Sequence, residues 1–329
     1  MALKGFAGFA IKKIGAAGIT IFAIVCANFV IFRLVPGDPL RMMFRDPRVS
    51  AEQMQLVRER FGLDKPLWEQ FLYYMRELSH GNLGISFWQK RPCLDVIADR
   101  IPQTLLLIVT ALVIAVIIGT ILGAIAGWKM GTKVDSSILS VALTLYSIPA
   151  FCMGIILMLV FAFTLSIFPL GGISTAASGL TGFAHVKDVL WHMCLPALSV
   201  VFWYTGEYVL LTRSAMVDAL SQDYIITARA KGLKESSILK NHALRNALLP
   251  VVTITGVNLA FAVAGIIEVE TVFSWPGIGR LVYEAVLKRD YPILQATFIV
   301  FAIAIVMANL VVDLIYGYID PRIKVGASE

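Results

Sequence analysis

The sequence predicts an all-α, polytopic membrane protein, and three observations predict it. Of 329 residues, 58% are hydrophobic and only 15% are charged, whereas soluble domains carry about 25% charged residues. The mean hydropathy is +0.79, and the apolar residues gather into runs long enough to cross roughly 30 Å of hydrocarbon. The polar intervals between the runs carry the basic residues, so the net charge of +6 belongs to loops and headgroups rather than to nucleic acid.

Residues 1–35 form an N-terminal tail and first transmembrane helix. Lys4, Lys12 and Lys13 lead into an apolar run ending at Phe32. A cleaved signal peptide would have a shorter apolar core and a small-residue cleavage site, so the span is read as uncleaved and entering from the cytoplasm. Pro36-Gly37-Asp38-Pro39 then ends any helix. Residues 36–102 are too polar for lipid and form a small extracytoplasmic segment. Within it, Ala51–Phe61 reads as a surface helix and Leu67–Leu78, after Pro66, as an amphipathic one.

Residues 103–329 form the transmembrane core. Its apolar runs are Leu105–Trp128, Ile138–Phe168, Trp191–Leu211, Leu248–Ile267 and Ile293–Ile315, which gives about six transmembrane helices with both termini on one side. Pro149 predicts a kink or break near Phe151 in the second of these runs; two pieces, one of them re-entrant, remain open. Residues 271–291, with Trp275-Pro276-Gly277, read as an ordered outer loop between the last two spans.

Short loops decide the orientation. Lys and Arg number three in the tail, two at 129–133, six at 213–248 and two after Asp320, against Lys187 and the trio Arg280, Lys288 and Arg289 on the other side. The ten basic residues of 36–102 count for little, because long segments translocate largely regardless of charge. Both termini and the loop 213–248 are thus expected in the cytoplasm of a cell (inner or plasma) membrane.

Within that loop, Ser221–Pro250 reads as two short helices separated by Lys231-Gly232, since glycine after a helix enters the left-handed region without a Cβ penalty. Ser221 or Asp223 is expected to cap the first helix, and Arg229 and Lys231 stand at its end where the dipole favours cations. The second runs from about Glu235 to Ala247, with Leu239, Ala243 and Ala247 along one stripe and Leu244 and Leu248 beside it.

T-A-R-A-K-G-L at 227–233, followed by H-A-L-R-N-A-L-L-P at 242–250, resembles the coupling loop of binding-protein-dependent ABC importer permeases. The family's general pattern begins Glu-Ala-Ala; Thr227 and Arg229 around Ala228 depart from it as the dipeptide/oligopeptide/nickel branch does. R-L-V-P-G-D-P at 33–39, F-G-L-D-K-P-L at 61–67, G-N-L-G-I-S-F at 81–87, R-I-P-Q-T-L at 100–105 and E-T-V-F-S-W-P-G-I-G-R at 270–280 resemble the same branch, more narrowly its B-type subunit. Glu268 stands where that family usually has an apolar residue.

The resemblance implies a type I importer permease with cytoplasmic coupling helices. Its implied partners are a second homologous permease subunit, two ATP-binding cassette subunits and an extracytoplasmic substrate-binding protein, in a lipid membrane. ATP and Mg would sit on the ATPase subunits, and this chain would bind no cofactor. The expected coupling residues are Asp223, Tyr224, Thr227, Ala228, Arg229, Ala230, Lys231, Gly232 and Leu233. Ala228 and Gly232 would keep a docking groove clear, while Arg229, Lys231 and Lys234 would meet acidic groups on the ATPase. Di- and oligopeptides are the default substrates of the branch, with nickel or its chelates and oligosaccharides as alternatives. An ATP-independent channel, a secondary transporter or a polytopic sensor or assembly factor are the competing classes.

No Gly-Lys occurs, so the chain has no P-loop of its own; nor has it a G-x-S-x-G elbow. His80, His185, His192 and His242 are scattered, without metal-ligand spacing, and no enzyme activity is expected. Cys26, Cys93, Cys152 and Cys194 suggest no disulfide. Charges inside apolar runs are the remaining functional signal. Glu207, Glu270 and Trp275 are candidates for a pathway or gate. The plain alternatives are an ion pair of Glu207 with Arg213 or with another subunit, and a capped turn around Trp275.

Overall fold

The computed structural model describes residues 2–34 and 65–319. The expected helix at 51–61 and the turn at 36–39 lie outside them. The described residues are helical, with one isolated antiparallel bridge between Ile85 and Pro92. They divide into two compact units, Met1–Pro102 with Ile278–Glu329, and Gln103–Gly277.

In the first unit, α1 (Ala2–Leu34) lies against α13 (Tyr291–Ile319). Lys13 Nζ meets Asp313 at 2.7 Å near one end, and Asn28 Nδ2 donates to the Gln295 carbonyl at 3.0 Å toward the other. The pairing is therefore antiparallel. Helix α2 (Leu67–Ser79), starting after Pro66 as its fixed φ favours, places Phe71 and Tyr74 5.2 and 5.5 Å from the Phe29 ring. The short α3 (Cys93–Ala98) buries Cys93, Val96 and Ile97. Residues 278–288, expected as loop, form a helix, α12 (Ile278–Lys288), whose Ile278, Leu281, Val282 and Ala285 are buried at helical spacing.

The second unit is built on α7 (Gly182–Leu220), longer at both ends than the expected run Trp191–Leu211. Its core joins Leu195, Val200, Val201, Tyr204 and Tyr208 of α7 to Ala111, Leu112 and Ala115 of α4 (Ile101–Trp128). A Cβ on Gly123 of α4 would stand 2.7 Å from both the Thr212 side chain and the Val209 carbonyl, so only glycine permits this approach. Pro196 is accommodated inside α7, with the Ser199 hydroxyl donating to its carbonyl at 2.7 Å.

The run around Pro149 is two pieces. Helix α5 (Lys133–Ser147) and helix α6 (Ala150–Leu157), extended by a π-helical stretch Met158–Thr164, meet at 95°. Ile148 is extended (φ −87°, ψ 121°), the conformation that a following proline imposes. The break thus falls before Phe151.

Among the described residues four helices, Gly8–Arg33, Cys93–Trp128, Gly182–Leu220 and Tyr291–Leu314, are long and apolar enough to cross a membrane, and a fifth span results if the bent pair counts as one. The expected span Leu248–Ile267 is instead α10 (Leu244–Phe261), followed by a 3-10 turn and Gly265 at φ +75°. That left-handed glycine stops the helix early, and Ile267–Val272 becomes a separate helix, α11.

Candidate coupling site

The polar loop of the second unit folds as an elbow. Helix α8 (Asp223–Ala230) follows α7 after a two-residue break. Its N-cap is Gln222, which makes no side-chain cap, and neither Ser221 nor Asp223 fills that role. Ser221 still belongs to the last turn of α7, and its hydroxyl donates to the Asp218 carbonyl at 2.8 Å. Asp223 is already inside α8, where its carbonyl accepts the Thr227 hydroxyl at 3.1 Å.

The other end matches expectation. Gly232 takes φ +74°; its N–H donates to the Arg229 carbonyl at 2.9 Å and the Leu233 N–H to the Ala228 carbonyl at 3.3 Å. These two bonds are the Schellman arrangement, which satisfies helix-end carbonyls through a left-handed residue. No atom lies within 4 Å of a Cβ placed on Gly232. Its glycine is required locally by conformation, not by crowding.

Beyond the turn, α9 (Glu235–Ser237), a π-helical stretch Ile238–Ala243 and α10 form one helical run. The second helix does not end at Ala247 as expected; it carries Pro250 within it. The elbow has its own core: Ile225 and Ala228 of α8 pack with Met216 and Ala219 of α7 and with Ile238, Ala243 and Ala247. Tyr224 Oη accepts from Asn246 Nδ2 at 2.8 Å and ties α8 to α10.

Eight of the nine expected coupling residues are at the surface: Asp223, Tyr224, Thr227, Arg229, Ala230, Lys231, Gly232 and Leu233. Ala228 is not. At 5% exposure it faces inward, into the cluster that also holds Met216, Ile225 and Ile238. Arg229 is also partly engaged, with Nε 2.9 Å from Glu235 Oε1 across the turn. Ile226, which the sequence did not single out, stands 62% exposed beside Leu233 at 41%. The pair Ile225-Ile226 inside a polar, basic segment was the available signal.

Glu270 and Trp275 are enclosed in the second unit, both at 0% exposure. Thr104 Oγ1 donates to Glu270 Oε1 at 2.7 Å, the Trp275 N–H donates to the Glu270 carbonyl at 2.8 Å, and Trp275 Nε1 donates to the Gln103 carbonyl at 2.9 Å. Gly277 lies against the Glu270 carboxylate. Neither side chain presents a face to a pathway in this conformation; together they lock the turn after α11 onto the start of α4.

Glu207 does not pair with Arg213. That guanidinium is taken by Asp135 of α5, at 2.6 and 2.8 Å, while Glu207 Oε2 accepts from Asn258 Nδ2 of α10 at 3.1 Å. Sequence reasoning missed Asp135 and Asn258. Thr132-x-x-Asp135 is a capping signature that was legible, and Thr132 is indeed the N-cap of α5. His192 is buried, with Nδ1 2.8 Å from the Asp188 carbonyl. Among the described residues no His, Cys, Asp and Glu cluster could hold a metal.

A helical fold with four or five helices long and apolar enough to cross a membrane, carrying a compact two-helix elbow between apolar helices, defines a multi-pass membrane protein. Residues 119–325 match the family described as binding-protein-dependent transport system inner membrane component, and residues 6–108 match the N-terminal region of such membrane components. The chain belongs to this family, the type I permeases of ABC importers. It is 36% identical over 333 residues to the dipeptide transport system permease protein DppB of Escherichia coli (strain K12), covering 96% of this chain and 98% of that one. It is 37% identical over 316 residues to the glutathione transport system permease protein GsiC of the same strain, with the same coverage.

Proposed function

We propose that this chain is the B-type permease subunit of an ATP-driven importer of di- and oligopeptides. It forms the translocation pathway with a second homologous permease, receives substrate from an extracytoplasmic binding protein and is driven by two ATPase subunits, which hold the ATP and Mg. The relatives named for dipeptide and glutathione transport, both covered over nearly their full length, support the peptide class over nickel chelates or oligosaccharides.

The observation that carries the coupling role is the elbow itself. Helix α8 is fixed to the end of the unit-spanning α7 by a break of two residues, a Schellman turn and its own core. A short rigid helix can pass nucleotide-driven closure to a bundle with two discrete packings, which a floppy linker cannot. Ile226, Leu233, Lys231 and Lys234 offer an apolar and basic surface for docking. The elbow and both termini then lie in the cytoplasm, and residues 36–102 outside it. A channel or secondary transporter would need no such elbow.

The test is purification followed by reconstitution. The affinity-tagged chain should bring down two ATPase subunits and a second permease, and vesicles holding the complex with its binding protein should accumulate a dipeptide only with ATP. Uptake by this chain without an ATPase would sink the assignment.

A further inference from the structure

Glu207 is a half-buried carboxylate within an apolar membrane helix of the second unit, and among the described residues it has no ion pair with a basic side chain. Arg213, the nearest basic residue on α7, is held by both carboxylate oxygens of Asp135. The Glu207 carboxylate is instead fastened at one oxygen: Asn258 Nδ2 donates to Oε2 at 3.1 Å and to Tyr208 Oη at 3.2 Å. The second oxygen, Oε1, has no hydrogen-bond partner among the described residues. Glu207 as a residue is half-buried rather than enclosed. One turn before it on the same face of α7 stands Trp203, stacked on Tyr146 of α5 at 5.7 Å and edge-on to Tyr204 at 5.0 Å.

A carboxylate costs several kcal/mol inside a bilayer and is found there chiefly where it pairs with another group or lines a path. Here the protein supplies an amide to orient it but no positive charge to neutralise it. A carboxylate with one oxygen free of protein hydrogen bonds, one helical turn from an indole, has the chemistry that recognises an alkylammonium: a charge-assisted hydrogen bond with an aromatic ring on the same helix face.

We infer that Glu207, oriented by Asn258, is an ammonium-recognition point in the pathway, binding the free amino terminus of a peptide during passage. The inference rests on the peptide-import assignment and adds the polarity with which the peptide is read. Specificity would then be set twice, by the binding protein outside and by this carboxylate within.

The experiment compares the whole reconstituted importer carrying either wild-type chain or Glu207→Gln, with saturating binding protein, on alanyl-alanine and on N-acetyl-alanyl-alanine. Gln keeps an acceptor for Asn258 and removes only the charge. The binding protein's own preference enters both complexes equally, so the ratio of the two uptake rates isolates Glu207. The ratio of free to acetylated peptide uptake should fall by about tenfold or more, as loss of a hydrogen bond between charged partners predicts, and Glu207→Asp should restore much of it. Equal slowing of both peptides, no change in the ratio, or loss of a partner subunit from purified Glu207→Gln complex would each overturn the inference alone. Failure of the wild-type complex to move either peptide would overturn the peptide assignment and this inference with it.

Discussion

Arg213 of α7 grips Asp135 of α5 with two hydrogen bonds, Nε at 2.6 Å and Nη2 at 2.8 Å from the carboxylate oxygens. The Asp135 side chain is 4% exposed and that of Arg213 23%, and the Gly131 N–H adds a bond to the same carboxylate at 2.9 Å. The clamp joins the start of α5 to the last turns of α7, just before the chain enters the elbow. Any displacement of α8 that moves the end of α7 must therefore carry the start of α5, and with it the bent pair α5–α6.

Breaking one half of this clamp should hurt more than removing both. Asp135→Asn leaves the guanidinium without its counter-charge in a mostly enclosed site, a loss of about 3 kcal/mol, the low end for a broken buried pair because Arg213 reaches solvent. Adding Arg213→Gln should recover part of it, with a coupling of about 1–3 kcal/mol. Denaturant unfolding of the purified chain in detergent measures the cycle, and strictly additive losses would show that the clamp is not an energetic unit.

At Gly232 backbone and docking requirements can be separated. The φ of +74° costs an ordinary L-residue about 1–2 kcal/mol, while Asn and Asp tolerate it, and the space around the position is open. Gly232→Val should therefore disturb the elbow locally. Gly232→Asn should keep the helix end intact, and its effect on uptake then reports only on what docks there. Gly232→Asp is expected to abolish uptake and ATPase coupling while the complex still inserts, because it adds a negative charge to a surface held by Lys231 and Lys234. Normal transport by Gly232→Asp would show that nothing acidic approaches this turn.

Four of the expected spans, the break at Pro149 and the elbow were legible because they are local signals, apolar run length, Pro149, and Gly232 between two short helical patterns, whereas the expected span Leu248–Ile267 is cut short before Gly265. Contacts distant in sequence were not legible. Asp135 and Arg213 are 78 residues apart and Thr104 and Glu270 are 166 apart, so no window of sequence joins them. Ala228 shows a subtler failure, since a small residue in a surface motif has the same spelling whether it faces a partner or its own core. Helix α12 was hidden by punctuation: Trp275-Pro276-Gly277 suggested a loop, although Ile278, Leu281, Val282 and Ala285 keep helical spacing.

The turn after α11 should behave as structure rather than as a gate. Gly277→Ala would drive a methyl into the Glu270 carboxylate, and buried overpacking costs about 1–3 kcal/mol. Trp275→Phe fills most of the same space but leaves the Gln103 carbonyl without the indole donor that sits 2.9 Å away, at about 1–3 kcal/mol. Both variants should lower the unfolding midpoint in detergent, and transport should fall only in proportion to folded complex. A Trp275→Phe chain of unaltered stability with altered transport rate would restore Trp275 to the gate.

In the first unit Asp290 organises the segment before α3. Its carboxylate accepts the Ser86 hydroxyl, the Phe87 N–H at 3.0 Å and the Trp88 N–H at 3.1 Å, and it is 3% exposed. The turn it holds places the Trp88 ring under Lys288 Nζ, 4.6 Å from the centroid. Asp290→Ala removes the shared acceptor and strands two backbone donors at about 1–3 kcal/mol each, whereas Ser86→Ala deletes one hydroxyl and leaves both backbone bonds in place. Hydrogen exchange should therefore show the amides of Phe87 and Trp88 losing protection in Asp290→Ala and keeping most of it in Ser86→Ala. Equal deprotection in the two variants would mean that the Ser86 hydroxyl, not the carboxylate, holds the turn.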